Sequence, residues 1–197
     1  PYIIDKMKSQ LDKLSHVIFA GMAHENAYIL ASRLIKILPP GFQKIFFAES
    51  GSVAVEIALK LAIQYWHNLG FINKKKIIYL KNGYHGDTAG SMAVTDSSVM
   101  HSKIFEGYIT KQLMLDFPFE EEGFKNFEEI LEINQDNIAA IILEPLMQGA
   151  GGFKFYNKKI LKRIFDICRK FQILFIADEV ATNFGRTGSM FASNEAE

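Results

Sequence analysis

Two stretches of almost unbroken apolar sequence most constrain the fold of this chain. Residues 137–145, NIAAIILEP, and residues 172–180, QILFIADEV, carry apolar side chains on both faces of a strand. Such strands occur in parallel sheets that are covered by helices on both sides. The segment between them, residues 157–171, has the apolar spacing of an amphipathic helix. Strands of this kind separated by helices indicate a buried, mostly parallel sheet.

The rest of the chain continues this alternation. Apolar runs and helical spacing predict strands at 44–50 and 75–82 and helices at 51–68 and 121–134. Two further helices are predicted at 1–17 and 24–40, the second ended by its two prolines. We therefore expect an α/β fold of three layers, αβα, with a helical N-terminal segment at 1–40 joined to a large domain at 41–197.

Composition excludes several classes of protein. Lysine plus arginine and aspartate plus glutamate number 22 each, so no global charge attracts nucleic acid or an anionic membrane. No apolar run reaches the roughly 18 residues of a membrane span, and the start has no signal-peptide layout.

The single cysteine, Cys168, lies on the apolar stripe of a predicted helix, so we expect a buried, inert thiol. One cysteine allows no disulfide within the chain, which suits a reducing cytoplasm.

Polar or glycine-rich sequence follows four of the predicted strands. The four segments are 49–52, 82–86, 144–145 and 178–179. Ligands of parallel sheets bind at the carboxyl ends of the strands. If the sheet forms, we expect the four segments to converge on one crevice.

The first segment, Glu49-Ser-Gly-Ser52, leads directly into the helix predicted at 51–68. Unpaired amides and a partial positive charge at a helix N-terminus favour an anion. Gly51 allows a ligand to approach the backbone, and Ser52 adds a hydroxyl, so the segment has the outline of a phosphate cradle. It lacks the Lys-Ser/Thr ending of a P-loop. The alternative is a serine cap that only begins the helix.

The second segment, NGYHGDTAGS, places two glycines on either side of Tyr84 and His85. This freedom of the backbone suits the presentation of a ring to a ligand, and Tyr84 could stack on a planar heterocycle. Asp87 could orient a substrate or cap the helix expected to follow. The alternative is a tight turn with an ordinary tyrosine.

The last two segments place carboxylates at the ends of buried strands. Burying Glu144 is costly unless it is paired, so we expect it to contact a ligand or a polar side chain, with a flexible GAGG loop after it. Buried Asp178 requires a cationic partner. A protonated pyridine nitrogen would serve, because an aspartate facing it keeps the ring charged and able to accept electrons. We expect Glu179 to pair with a nearby donor and Arg186 to form a structural ion pair.

A metal site is disfavoured, because His24, His67, His85 and His101 show no ligand spacing on a common face. A phosphate cradle, a stacking ring and an aspartate for a ring nitrogen together fit pyridoxal 5′-phosphate (PLP).

Four motifs of the chain resemble those of a known family. ESGSVAVEIALKLAIQYW, NGYHGDTAGSMAVTD, EPLMQGAGG and ADEVATNFGRTG are similar to the class III, fold-type I, PLP-dependent aminotransferases over essentially the whole chain. The resemblance implies the large domain of that fold, with Gly51 and Ser52 at the cofactor phosphate, Asp178 at the pyridine nitrogen and Glu144 supporting the site.

The resemblance also implies a substrate site. Tyr84 would stack near the ring and face the amine substrates, and Asp87 would lie at the edge of their pocket. The combination of motifs is most similar to members of the class that act in biotin synthesis. The implied reaction takes an amino group from S-adenosylmethionine and gives it to 7-keto-8-aminopelargonate, which becomes 7,8-diaminopelargonate. Other class III ω-aminotransferases, or a non-catalytic remnant of the PLP fold, are the alternatives.

The sequence departs from the family at three places. Glu49 replaces the usual aspartate, and Asn183 stands where the family has a glycine, at a turn where we expect asparagine to tolerate a left-handed backbone. The third departure concerns the family's Schiff-base lysine, which follows the aspartate. No lysine follows Asp178 here, and the last is Lys170. We therefore expect a fragment of a longer chain, truncated before that lysine, inactive and poorly soluble alone, and a homodimer when full length.

Overall fold

The computed structural model of the protein describes residues 1–99, 103–105 and 107–196, which leaves His101 outside the described part. The chain divides into two compact units, Pro1–Phe46 and Phe47–Glu197. The first unit contains two helices, α1 (Tyr2–Lys13) and α2 (Glu25–Ile37), as predicted. Neither helix buries a residue, and apolar side chains such as Tyr2, Ile3, Met7 and Leu11 are exposed.

The second unit alternates helices and strands. In chain order its elements are α3 (Gly51–Asn68), β1 (Lys76–Leu80), α4 (Ala89–Ala93), a 3-10 turn (Lys103–Phe105), β2 (Leu113–Leu115), α5 (Glu121–Asn134), β3 (Ile138–Leu143), β4 (Met147–Gln148), β5 (Lys154–Phe155), α6 (Lys158–Lys170), β6 (Leu174–Ala177) and a 3-10 turn (Ala192–Ala196). The main sheet has the order β2-β1-β3-β6, and each neighbouring pair is parallel. The prediction of a mostly parallel sheet is confirmed.

Helices cover both faces of this sheet and make the three predicted layers. Ile141 and Leu143 of β3 belong to the core that contains α5 and α6, whereas Ala140 and Ile142 belong to the core that contains α3. Every residue of β3 is buried, because each of its side chains belongs to one or the other of the two cores. Trp66 joins α3 to this strand through a hydrogen bond from its indole nitrogen to the Ala139 carbonyl at 2.8 Å.

Predicted and observed elements agree best for the helices. Helices α3 and α5 have the predicted bounds, and α6 is shorter by one residue at each end. Strands β1, β3 and β6 are each shorter than predicted, because the predicted ranges included polar residues such as Lys81, Glu144 and Asp178, which lie beyond the last paired residues. Cys168 of α6 is fully buried, and burial raises its pKa to about 12, as expected of an inert thiol.

One prediction about backbone structure was wrong. Residues 44–50 form no strand, because no strand in the described part of the chain pairs with them, and Phe46 is exposed. The predicted GAGG loop is present as the loop of a short hairpin, in which β4 and β5 are antiparallel and Met147 pairs with Phe155. Strand β2 was not predicted. No helix of the described residues is long and apolar enough to cross a membrane.

Candidate active site

The polar segments after β1, β3 and β6 lie at one edge of the sheet, because these strands are adjacent and parallel. The N-terminus of α3 joins them through a contact between its second residue, Ser52, and the loop after β1. The expected convergence of four segments therefore occurs, although the segment before α3 is not a strand.

The loop after β1, residues 82–87, is held by side chains from several parts of the unit. Four of its backbone amides donate to such side chains: Asn82 to Asp96 Oδ2 (2.8 Å), Tyr84 to Glu144 Oε2 (3.2 Å), His85 to Thr95 Oγ1 (2.9 Å) and Asp87 to Ser52 Oγ (3.0 Å). The left-handed backbone of Asn82, with φ of 64°, reverses the chain directly after the strand. This loop is therefore rigidly positioned, and so are the rings that it carries.

The N-terminus of α3 begins at a capped turn. The Ser50 side chain accepts a hydrogen bond from the Val53 amide, so Ser50, not Ser52, is the cap. A Cβ atom added to Gly51 would lie 3.1 Å from the Val180 side chain, which shows how closely this turn approaches the segment after β6. The Ser52 hydroxyl is therefore not consumed by capping and faces the loop after β1 through its contact with Asp87.

Glu144 connects two loops through its buried carboxylate. Oε2 accepts from the Tyr84 amide, and Oε1 accepts from the Gly149 amide at 2.9 Å. Burial raises the pKa of Glu144, and the charge of Asp178 acts in the same direction, whereas the hydrogen bonds from the two amides partly oppose this change. Within the chain the partners of this carboxylate are thus backbone amides, and not the polar side chain that we expected.

Asp178 follows β6 and is nearly fully buried. Its Oδ2 lies 2.7 Å from Nδ1 of His85, and its Oδ1 accepts from the Val180 amide at 3.2 Å. Among residues 1–99, 103–105 and 107–196, no lysine or arginine pairs with this carboxylate, and its side-chain partner is the imidazole of His85. A buried carboxylate with so little compensating charge favours a cationic group in the crevice.

Tyr84 and Asp87 contact each other at the outer part of the loop. The Tyr84 hydroxyl donates to Asp87 Oδ1 at 2.9 Å. Partial burial, this hydrogen bond and the charge of Asp87 raise the pKa of Tyr84, so the phenol keeps its proton at neutral pH. Asp87 does not cap the following helix, because the N-cap position of α4 is Thr88.

Three expectations concerned the segment after Asp178. Glu179 pairs with nearby donors, as predicted: its carboxylate accepts from the amides of Ala192 (2.7 Å) and Ser193 (2.9 Å) and from the Ser193 hydroxyl. Arg186 is exposed and forms no ion pair within the described part of the chain, contrary to expectation. The left-handed residues of this turn are Phe184 and Gly185, not Asn183, so the asparagine faces no such strain.

Sequence reasoning missed several residues that hold the site. Glu56 of α3 accepts hydrogen bonds from the Gly90 amide (2.8 Å) and the Thr88 hydroxyl (2.7 Å). Glu56 could have been recognised from the sequence, because it is a carboxylate in an otherwise largely apolar helix. The contact between His85 and Asp178 had no local signal, because 93 positions separate the two. Within the described residues, no group of three or more His, Cys, Asp or Glu side chains could hold a metal ion.

A parallel α/β sheet with a helix N-terminus and a buried aspartate at its carboxyl edge defines a class of proteins that bind small ligands there. The whole chain, residues 1–197, matches the family model for aminotransferase class-III. The protein therefore belongs to the class-III aminotransferases.

Individual relatives share this assignment. An adenosylmethionine-8-amino-7-oxononanoate aminotransferase from Buchnera aphidicola subsp. Schizaphis graminum is 39% identical over 100% of this chain and 47% of its own length. The crystal structure of the enzyme of the same name from Methanocaldococcus jannaschii has a TM-score of 0.91 and 35% identity, and the match covers 98% of this chain and 44% of the other. The chain thus spans about half the length of these relatives.

A third relative carries the cofactor. An amine transaminase from an uncultivated Pseudomonas species, solved in its PLP-bound form, has a TM-score of 0.89 and 33% identity, with 98% of this chain and 47% of the other covered. The fold that surrounds the crevice is therefore shared with a protein that binds PLP.

Proposed function

We propose that the protein is a PLP-dependent aminotransferase of biotin synthesis, which takes an amino group from S-adenosylmethionine and gives it to 7-keto-8-aminopelargonate. The observation that carries the proposal is the buried carboxylate of Asp178 at the carboxyl end of β6, in a chain of the class-III family. The relatives named for this reaction match over the whole chain and support the choice of substrates.

The residues around the crevice fit PLP on three counts. The buried Asp178 carboxylate matches a protonated pyridine nitrogen in charge. The N-terminus of α3 offers unpaired amides and a partial positive charge to a phosphate, and Ser52 adds a hydroxyl. Any side chain at Gly86 would fill the space beside Ser52, where the loop and the helix approach each other. The site thus has complementary groups for both charged ends of the cofactor.

We assign the following roles to the chain's own residues. Gly51 and Ser52 bind the phosphate, and Asp178 pairs with the ring nitrogen. When bound, PLP would supply an aldehyde group that takes up and passes on the amino group, and a ring that accepts electrons. Tyr84 packs on the ring and faces the substrates, with its hydroxyl oriented by Asp87 at the edge of the substrate pocket. Glu144 holds the backbone of Tyr84 in place and does not itself touch the substrate.

These roles also indicate how the chain is divided into domains. Every residue assigned above lies within 41–197, which we propose is the PLP-binding large domain, with 1–40 as a helical segment joined to it.

We propose a homodimer for the full-length protein. The exposed apolar side chains of α1 and α2 support it, since such surfaces mark contacts between chains. The single buried cysteine is consistent with the cytoplasm as its compartment.

The full-length protein, loaded with PLP, tests the proposal directly. With S-adenosylmethionine and 7-keto-8-aminopelargonate, mass spectrometry should detect 7,8-diaminopelargonate. Ornithine and 4-aminobutyrate are the competing donors. Transfer from these amines, with S-adenosylmethionine inert, would instead identify another class-III ω-aminotransferase, and PLP binding without transfer to any acceptor would identify a non-catalytic remnant.

Two variants test the assigned residues. Asp178→Asn should abolish transfer, because it removes the negative charge beside the ring nitrogen, whereas Asp116→Asn on the surface should leave transfer unchanged. Ser52→Ala should weaken binding of PLP by about tenfold, the value of one hydrogen bond to a charged group, but should leave binding of pyridoxal, which has no phosphate, unchanged. Equal loss for both compounds would show that Ser52 acts only on the fold.

A further inference from the structure

The imidazole of His85 is fully buried against Asp178. Nδ1 lies 2.7 Å from Oδ2, and the exposed fractions of the two side chains are 0% and 6%. The position of the ring is set from its own backbone, because the His85 amide donates to Thr95 Oγ1, which in turn donates to the Ser91 carbonyl at 2.9 Å. The contact is therefore built into the fold and does not depend on a mobile side chain.

The second ring nitrogen indicates which form of the imidazole is present. Nε2 is buried and has no hydrogen-bond partner among the residues that the structure describes. A protonated imidazole would leave a buried N–H without an acceptor, which is costly. The neutral ring with its hydrogen on Nδ1 satisfies Asp178 and leaves only a lone pair at Nε2. In this form His85 donates a hydrogen bond but does not neutralise the carboxylate.

The glycine before Tyr84 lies beside Nε2. A Cβ atom at Gly83 would lie 3.3 Å from Nε2 and 2.8 Å from the Leu80 carbonyl oxygen. A side chain at residue 83 would therefore crowd the imidazole, and glycine leaves the ring its position against Asp178.

With His85 on Oδ2 and the Val180 amide on Oδ1, each oxygen of the Asp178 carboxylate is tethered. A carboxylate tethered in this way is held in one orientation, and neither of the two donors cancels its charge. These are the properties that pairing with a cationic ring nitrogen requires.

We propose that His85 is a positioning residue, which holds the Asp178 carboxylate in the orientation and charge state that pair with the pyridine nitrogen of PLP. The inference rests on the proposed function of the crevice. His85 itself touches neither the cofactor nor the substrates in this role. It acts only through Asp178, so its effect depends on the presence of the ring nitrogen.

Three substitutions in the full-length protein separate the hydrogen bond from the shape of the side chain. In His85→Asn, the amide nitrogen occupies the position of Nδ1 and retains the donor to Asp178. His85→Leu has the same branching as asparagine but no donor. His85→Gln carries its donor one bond farther out, near the position of Nε2, and loses the contact with Asp178. Circular dichroism establishes that each variant is folded before it is compared.

The readout is the dissociation constant for PLP and for its 1-deaza analogue, in which carbon replaces the ring nitrogen, measured by absorbance titration. We expect His85→Leu and His85→Gln to weaken binding of PLP by about tenfold, the value of one charge-assisted hydrogen bond, and His85→Asn to restore it to within about threefold. Binding of the 1-deaza analogue should be the same for all folded variants, because it offers no nitrogen for Asp178.

Equal losses for PLP and the 1-deaza analogue would overturn the proposal and give His85 a purely structural role. Failure of His85→Asn to restore PLP binding, when His85→Leu weakens it, would overturn it as well. If His85→Leu does not fold, His85→Gln takes its place as the variant without the donor. Equal losses for the two compounds in His85→Gln, or failure of His85→Asn to restore PLP binding, would then overturn the proposal. A wild-type protein that binds neither compound would instead contradict the proposed function itself.

Discussion

Gly86 passes so close to Ser52 that a side chain at residue 86 would collide with it. A Cβ atom there would lie 2.8 Å from Cβ and 2.9 Å from Cα of Ser52, and closer still to its hydroxyl oxygen. Gly86 also has a φ of 121°, a conformation that residues with side chains rarely adopt. The approach of the loop after β1 to the N-terminus of α3 therefore depends on this glycine.

We expect Gly86→Ala to lower the free energy of unfolding by roughly 3 kcal/mol or more, from backbone strain and from the collision together. Gly70→Ala is the matched control, because Gly70 has a φ of 88° but nothing within 4 Å of its Cβ position. Gly70→Ala should lower the free energy of unfolding by about 1 kcal/mol, because it introduces backbone strain but no collision. Urea unfolding of the full-length protein measures both, and equal losses would show that the collision is relieved by movement of the loop.

The carboxylate of Glu144 offers a second test, because it accepts from two backbone amides at once. Glu144→Gln replaces one acceptor oxygen by an NH₂ group, which would face an amide donor. We expect a loss of about 1–3 kcal/mol in the free energy of unfolding and weaker binding of PLP, because the backbone of Tyr84 is released.

Glu129→Gln on the exposed face of α5 is the control for this change and should alter stability by less than about 0.5 kcal/mol. Thermal unfolding and PLP titration measure the two effects. Full stability in Glu144→Gln would mean that water replaces the carboxylate at these amides.

Lys74 places a buried ammonium group beneath Trp66. Its Nζ donates to the carbonyls of Ile138 (3.3 Å) and Gln172 (3.1 Å) and lies 4.3 Å from the centre of the indole ring. We expect Lys74→Met to lower the free energy of unfolding by about 2 kcal/mol, because two carbonyls lose their donor. Lys75→Met, at the exposed neighbouring position, should change it by less than about 0.5 kcal/mol.

Lys74 should also make the free energy of unfolding depend on pH. Burial lowers the pKa of Lys74 below its usual 10.5, and the charge of Asp136 opposes this only in part. The unfolded chain therefore binds more protons than the native protein between the lowered pKa and 10.5, so the contribution of Lys74 to stability rises with pH in that window. The difference in unfolding free energy between wild type and Lys74→Met should grow accordingly. A constant difference would show that the ammonium group is solvated.

Cys168 should be unreactive in the folded protein. Burial raises the pKa of its thiol to about 12, so almost no thiolate is present at pH 8, and the side chain is inaccessible. We expect iodoacetamide to leave the Cys168 peptide unmodified in buffer and to modify it fully in urea, as measured by mass spectrometry. A Cys168→Ala, Ser9→Cys variant is the control, since residue 9 is exposed and should react in both conditions. Rapid modification of Cys168 in buffer would indicate local opening of α6.

The spacing of apolar residues was sufficient to predict those elements whose contacts are between neighbours in sequence. Apolar spacing determined the bounds of α3 and α5, because a helix satisfies its own backbone hydrogen bonds and needs only one apolar face. It failed at residues 44–50, where a run with the composition of a strand has no partner strand in the described chain. A strand requires a neighbour, and apolarity alone does not supply one.

The sequence by itself determined that this protein has a parallel sheet between helices, with polar groups after its strands, because those properties follow from the spacing of side chains along the chain. Only the tertiary structure decided how those groups pair. Glu144 binds the Tyr84 amide 60 positions away, and Asp178 binds His85 93 positions away. Such pairs are selected by the order and register of strands β1, β3 and β6, and by the need of each buried polar group for a partner, which no local pattern encodes.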